Sequence, residues 1–205
     1  PIVQGGMGVG VSLSGLASAV AAHGAIGVIS SVGIGSSEPD LRSSFLEANL
    51  RALRREIRRA RERTDGILGV NIMVALTDYA DYVKAAVDEG IDIVFSGAGL
   101  PLSLPELSAP GRRTRLVPIV SSGRAAQLIC RRWSERYGRF PDAVVVEGPL
   151  AGGHLGFRRE QIDDPRYALE RLVPDVLAAV APFAITAHAA PDDPIATEKT
   201  ARLSI

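Results

Sequence analysis

Apolar residues recur along this chain in short β-branched runs separated by stretches with helical spacing, and glycines mark where one pattern gives way to the other. Ile2-Val3-Gln4 reads as a first strand, followed by a glycine-rich loop and a helix over residues 16–22. Residues 25–30 form a second strand, and a helix over 41–63 places Leu46, Leu50, Leu53, Ile57 and Ala60 on one face. A third strand spans 67–74, and the helix after it, 79–89, turns Tyr82, Val83, Ala86 and Val87 inward. Strands over 91–95, 116–120 and 143–146 then alternate with helices over 125–136 and 168–180, giving six strand–helix units.

Strands alternating with helices predict a parallel α/β fold, and right-handed crossovers leave a closed barrel or an open doubly wound sheet. Spacing alone does not decide between them. Glycine or small polar loops follow strands one, three, four, five and six, and a barrel would gather them over one pocket where an open sheet would scatter them along an edge. The expected fold is therefore a TIM (β/α)8-type barrel, with residues 1–205 as a single domain.

Composition narrows the partners. Lys+Arg and Asp+Glu both number 23, so no global field invites nucleic acid or an anionic membrane, and a small-molecule substrate is expected, with a homodimer left open. The arginines of the 41–63 helix read as a solvated outer face. Cys130, the single cysteine, excludes an internal disulfide and reads as a buried helical residue, as does Trp133. His23 before Gly24 fits a helix carboxyl end. No apolar run reaches the roughly 18 residues of a membrane span, and no signal peptide is visible, so the cytoplasm is expected. The chain starts at Pro1 rather than methionine, which leaves room for an amino-terminal piece.

The chemistry concentrates after the sixth strand, in Glu147-Gly148-Pro149-Leu150-Ala151-Gly152-Gly153-His154-Leu155-Gly156. Glycines there let the backbone approach a ligand closely, and an imidazole is suited to moving protons near neutral pH. A glycine-rich turn with a solvent-facing histidine is the plain alternative. Gly5-Gly6-Met7-Gly8 offers backbone N–H groups ahead of a helix, but no acidic residue is placed to hold a ribose, so a Rossmann site is not supported. Asn71 interrupts an apolar strand and needs a partner, water or ligand.

Glu147-Gly148, Ala151-Gly152-Gly153-His154 and Gly156 together resemble the signature of the nitronate monooxygenase family, formerly the 2-nitropropane dioxygenases. Gly69-Val70-Asn71 and Ser96-Gly97-Ala98-Gly99-Leu100-Pro101 are similar to further family segments. The resemblance implies an FMN-dependent oxidoreductase on a TIM barrel, oxidising alkyl nitronates or nitroalkanes with dioxygen and related to FMN-dependent enoyl-acyl-carrier-protein reductases. By that resemblance His154 is the catalytic base, and Gly5, Gly6, Met7, Gly8, Asn71, Ser121, Glu147, Ala151, Gly152 and Gly153 hold the FMN. No metal is expected. The alternatives are an enoyl-acyl-carrier-protein or quinone reductase using NAD(P)H, and a non-catalytic barrel that binds a phosphate ligand or a partner.

The resemblance covers residues 1 to about 181. All 21 glycines lie in the first 156 residues, so the glycine-rich loops that hold the flavin phosphate in the family have no counterpart after Phe157. A full barrel takes roughly 250 residues. The expectation is a segment absent near residues 182–184, because Ala184-Ile185-Thr186-Ala187-His188 loosely resembles the family's segment just past strand eight.

Overall fold

The structure, a computed structural model, describes residues 2–108, 113–154 and 156–187. Five strands lie parallel and in chain order, β1 (Gly27–Ser30), β2 (Leu68–Met73), β3 (Ile93–Gly97), β4 (Arg115–Val120) and β5 (Val145–Val146). Val70 is paired with Ile29 on one side and Val94 on the other, and Ile119 with Val145 at the far edge. The helices are α1 (Ser14–Ala22), α2 (Phe45–Arg61), α3 (Tyr79–Asp88), the single turn α4 (Leu104–Leu107), α5 (Gly123–Tyr137) and α6 (Leu169–Ala187). The last runs through residues 182–184; His188 lies outside the described residues. Among the described residues no helix is long and apolar enough to cross a membrane.

Side chains alternate across the strands, and the two faces meet different surroundings. Ile29, Val70, Ile72, Val94 and Leu116 pack against helical residues such as Leu53, Ile57, Val83, Ile129 and Trp133. Val28, Ile93, Phe95 and Val117 form a second cluster with Ile26, Ile119 and Val145, all of them strand or strand-flanking residues. Helices thus cover one face only, as in a barrel wall, whereas a doubly wound sheet carries helices on both faces.

Three differences from the sequence reading have physical causes. The barrel is not closed among the described residues: the sheet has five strands and two open edges. The first expected strand shrinks to one parallel bridge, Val3 to Ile26, because the side chain of Gln4 takes over the next ladder position. Its Nε2 donates to the Val28 carbonyl at 3.0 Å and its Oε1 accepts the Val28 N–H at 3.3 Å, which releases the backbone of residues 5–8 into a loop. In α2 the buried face is Ala48, Ala52, Leu53, Ile57 and Ala60, while Leu46 and Leu50 are only half-buried. The small alanines let that helix sit close to its neighbours.

The sixth strand, expected over 143–146, covers only Val145–Val146 and is half-buried; the side-chain burials expected elsewhere hold. Tyr82, Val83, Ala86 and Val87 are buried, as are Cys130 and Trp133, whose indole N–H donates to the Pro101 carbonyl at 3.0 Å. The His23 ring lies 2.8 Å from the Ala19 carbonyl at the end of α1. The arginines of α2 are neutralised locally, Arg51 and Arg55 on Glu38, Arg54 and Arg58 on Glu89, Arg61 on Asp92. That outer face binds its own loops together and offers no bare cationic surface.

Candidate functional site

Loops at the carboxyl ends of the strands enclose two adjoining cavities. The larger, about 1150 Å³, is lined by Gly5, Gly6, Met7, Gly8, Asn71, Glu147, Ala151, Gly152 and Gly153, nine of the ten residues expected to hold a cofactor. The tenth, Ser121, sits instead in a smaller cavity of about 330 Å³ together with His154. Ile119 and Glu147 border both.

A buried serine shapes the first loop. Ser12, fully buried, accepts the Met7 N–H at 3.0 Å and an amide hydrogen of Gln4 at 3.0 Å, and donates to the Gly5 carbonyl at 3.3 Å. The loop is cinched around this hydroxyl. It then passes so close to β2 that a Cβ on Gly6 would stand 2.5 Å from the Cβ of Asn71, closer than such atoms come. Val9, a β-branched residue, is held at φ 48° where the loop turns away, its N–H donating to the Val32 carbonyl at 2.8 Å. Nothing in the pattern around Ser12 distinguishes it from an ordinary serine, and sequence reasoning missed it.

On the opposite wall β5 delivers Glu147, whose N–H donates to the Val120 carbonyl at 2.8 Å. The Glu147 carboxylate accepts the Gly156 N–H at 3.2 Å, tying the far end of the His154 loop back to its start. Gly156 packs so tightly that an added Cβ would lie 2.4 Å from the Ser121 hydroxyl. His154 itself is exposed, at the rim of the smaller cavity. Phe157 lines neither cavity and packs edge-on against Tyr167, the ring centres 6.0 Å apart. The start of α6 also reaches the larger cavity through Leu169 and Glu170, a contribution the sequence did not signal.

The larger cavity fits a flat uncharged ring. One wall is the loop from Gly5 to Gly8, glycine at three of its four positions, and the Asn71 side-chain amide beside it has no hydrogen-bond partner among the described residues. For a phosphate the fit fails: no lysine or arginine lines the cavity among the described residues, while Asp163, Asp164 and Glu170 do. Asp164 is engaged by Arg166 at 2.6 Å, and that side-chain bond holds its carboxyl below the usual range.

A parallel five-stranded sheet with helices on its outer face and glycine loops over a cavity at the strand ends makes an α/β half-barrel, with its cavity where such sheets carry their ligand sites. The chain belongs to the nitronate monooxygenase family of flavin oxidoreductases, whose model matches residues 1–190. Among solved structures it is similar to FabK from Thermotoga maritima, at 30% identity over 88% of this chain and 48% of that one, with a TM-score of 0.65. Nitroalkane oxidase from Streptomyces ansochromogenes shares the fold with a TM-score of 0.67 at 21% identity, covering 88% of this chain and 56% of that one. A curated relative from Mycobacterium tuberculosis (strain ATCC 25618 / H37Rv), (3aS,4S,5R,7aS)-5-hydroxy-7a-methyl-1-oxo-octahydro-1H-indene-4-carboxyl-CoA dehydrogenase, is 28% identical over 191 residues, 93% of this chain and 44% of its own length. The chain spans about half the length of these relatives.

Proposed function

We propose that this chain carries the ring-binding and proton-transfer half of an FMN-dependent oxidoreductase that oxidises alkyl nitronates or nitroalkanes with dioxygen. The observation that carries the reading is the juxtaposition of a backbone-walled cavity with a second, smaller one holding His154, the two sharing Glu147 and Ile119. A flavin bound in the larger cavity supplies the electron acceptor. The loop from Gly5 to Gly8 presents its backbone to the ring face, and the Asn71 amide is free to meet a ring heteroatom. His154 removes the proton from the carbon beside the nitro group, and Glu147 keeps the loop that carries it closed by holding the Gly156 N–H. Asp163, Asp164 and Glu170 along this cavity disfavour a phosphate there, so the part of the cofactor it suits is the uncharged ring.

His154→Ala should retain FMN while turnover of a substrate that needs proton abstraction falls about 10²–10⁴-fold, the usual contribution of a general base. Unchanged turnover would remove His154 from the mechanism. A second reading is an enoyl-acyl-carrier-protein or quinone reductase fed by NAD(P)H, the reductases to which the motif after β5 is also similar. Anaerobic additions separate the two: flavin absorbance bleached by nitronate supports the first, and bleaching by NADH or NADPH alone supports the second.

A further inference from the structure

We infer that Glu56 of α2 is the positioning residue of the loop from Gly5 to Gly8: its buried carboxylate takes the free amino terminus of α1 and so fixes Ser12, around which that loop is gathered. This rests on the preceding reading for the purpose of the loop, to meet the flavin ring, and adds what holds the loop in place. Glu56 lines neither cavity and has no part in the proposed chemistry, yet it is a carboxylate only 6% exposed.

A charge is buried only where partners replace the water it gives up. Glu56 finds them on two helices. From α1 the Ser14 N–H donates to its Oε2 at 3.0 Å, and the Ser14 hydroxyl adds a second bond. From α2 itself Arg59 lies 3.3 Å and Arg55 3.8 Å from its Oε1. Burial pushes the carboxyl up, but the bonds from Ser14, with Arg59 and Arg55 behind them, outweigh it. The demand for this carboxylate comes from α1. Its N-cap residue is Leu13, which makes no side-chain cap, and its first turn carries no acidic residue, so the positive end of that helix has no local partner. Where a glycine loop leads into a helix, a bound anion is readily held at that place. Here a carboxylate of the protein fills it.

Ser14 reaches the loop through Ser12. The Ser12 N–H donates to the Met7 carbonyl at 3.0 Å, and the Ser12 carbonyl accepts the Ser30 N–H at 2.9 Å. Together with the hydroxyl bonds to Gly5 and Met7, these make residues 5–7 follow Ser12 wherever it sits. The body of α1 is fixed independently, because Ala17 lies against Gly27 so closely that no Cβ would fit there. What Glu56 governs is therefore the first turn, the stretch of α1 between that contact and Ser12.

Hydrogen exchange followed amide by amide by NMR in the full-length protein tests this, in wild type, Glu56→Gln, Glu56→Ala and Glu89→Gln. Glu56→Gln keeps an oxygen for the Ser14 N–H and removes the charge, and a bond to a charged acceptor exceeds a neutral one by about tenfold in equilibrium constant. Exchange at Met7, Ser12 and Ser14 should quicken about tenfold in Glu56→Gln and about 10–150-fold in Glu56→Ala. Both rates are taken relative to Val70, which is paired on both sides in the middle of the sheet and reports opening of the whole domain. Glu89→Gln loosens the same helix by weakening the hold on Arg54 and Arg58, away from α1, and should leave the three amides as in wild type. The visible circular dichroism of bound FMN should change in the Glu56 variants and stay constant in Glu89→Gln. If the alanine variant does not fold, the glutamine variant still decides. Equal exchange at the three amides in wild type and Glu56→Gln, or an equal rise in Glu89→Gln, overturns the proposal. Faster exchange with an unaltered flavin spectrum leaves Glu56 holding the loop and takes the ring away from it. Wild-type protein that binds no FMN defeats the flavin reading, and the exchange rates then judge Glu56 alone.

Discussion

Replacing Gly6 by alanine sets one methyl group against two braced segments. The added Cβ would lie 2.5 Å from the Asn71 Cβ and 2.9 Å from its Cγ, where contacts under 3.0 Å essentially never occur, so something must move by about half an ångström. Asn71 cannot retreat easily: its backbone is paired with both Ser30 and Phe95, and its carbonyl accepts the Ser31 N–H at 3.1 Å. The loop cannot swing out freely either, because Ser12 holds Gly5 and Met7 on both sides of the new methyl. Overpacking of this kind costs about 1–3 kcal/mol. In a domain of this size each kcal/mol lowers Tm by roughly 2–4 °C, so thermal unfolding should shift down by about 2–12 °C. The displaced segment is also the wall proposed to meet the flavin ring, and strain of that size absorbed on binding corresponds to a loss of about 5–150-fold in FMN affinity. Gly5→Ala is the control, since nothing lies within 4 Å of its added Cβ. Unfolding tracked by circular dichroism and FMN titration tracked by fluorescence read the two quantities. If Gly6→Ala and Gly5→Ala unfold at the same temperature, the close approach of this loop to β2 is not what holds it.

Trp133→Ala removes a fully buried side chain and its bond to the Pro101 carbonyl, and urea unfolding should show a loss of about 3–5 kcal/mol; a loss under 1 kcal/mol would contradict the packing of α5 on the sheet. Acid should loosen the attachment of α2. Side-chain bonds from Arg55 and Arg51 hold Glu38 below its usual 4.5, and Arg58, outweighing burial, does the same for Glu89. Burial pushes Glu56 up, but the hydrogen bonds from Ser14 outweigh it and its carboxyl also ends lower. A carboxyl whose folded pKa is depressed stabilises above the unfolded value and loses that contribution as pH falls through the folded one. The denaturation midpoint should therefore hold from pH 7 to about 5 and fall below about 4.5, with a shallower fall in Glu89→Gln. A wild-type midpoint flat down to pH 3 would refute this account.

The sequence by itself determined the order of strands and helices, the burial of Tyr82, Val83, Cys130 and Trp133, and the placing of the glycine loops at the strand ends. These arise from local periodicity and from apolar residues that have nowhere else to go. It also marked His154 and nine of the residues that line the larger cavity, the glycines because they break the pattern around them and the others through the family resemblance. Only the tertiary structure decided that helices cover a single face of the sheet, since the alternation of Val28 with Ile29 is the same whether the inner face meets helices or other strands. It alone put a side-chain amide in place of a strand at Gln4, gathered the first loop around Ser12 and separated Ser121 from the ring cavity. Each of these depends on a contact between segments distant in sequence. A residue's pattern with its neighbours records which way it points, and the partner it meets there is set by how the whole sheet curves.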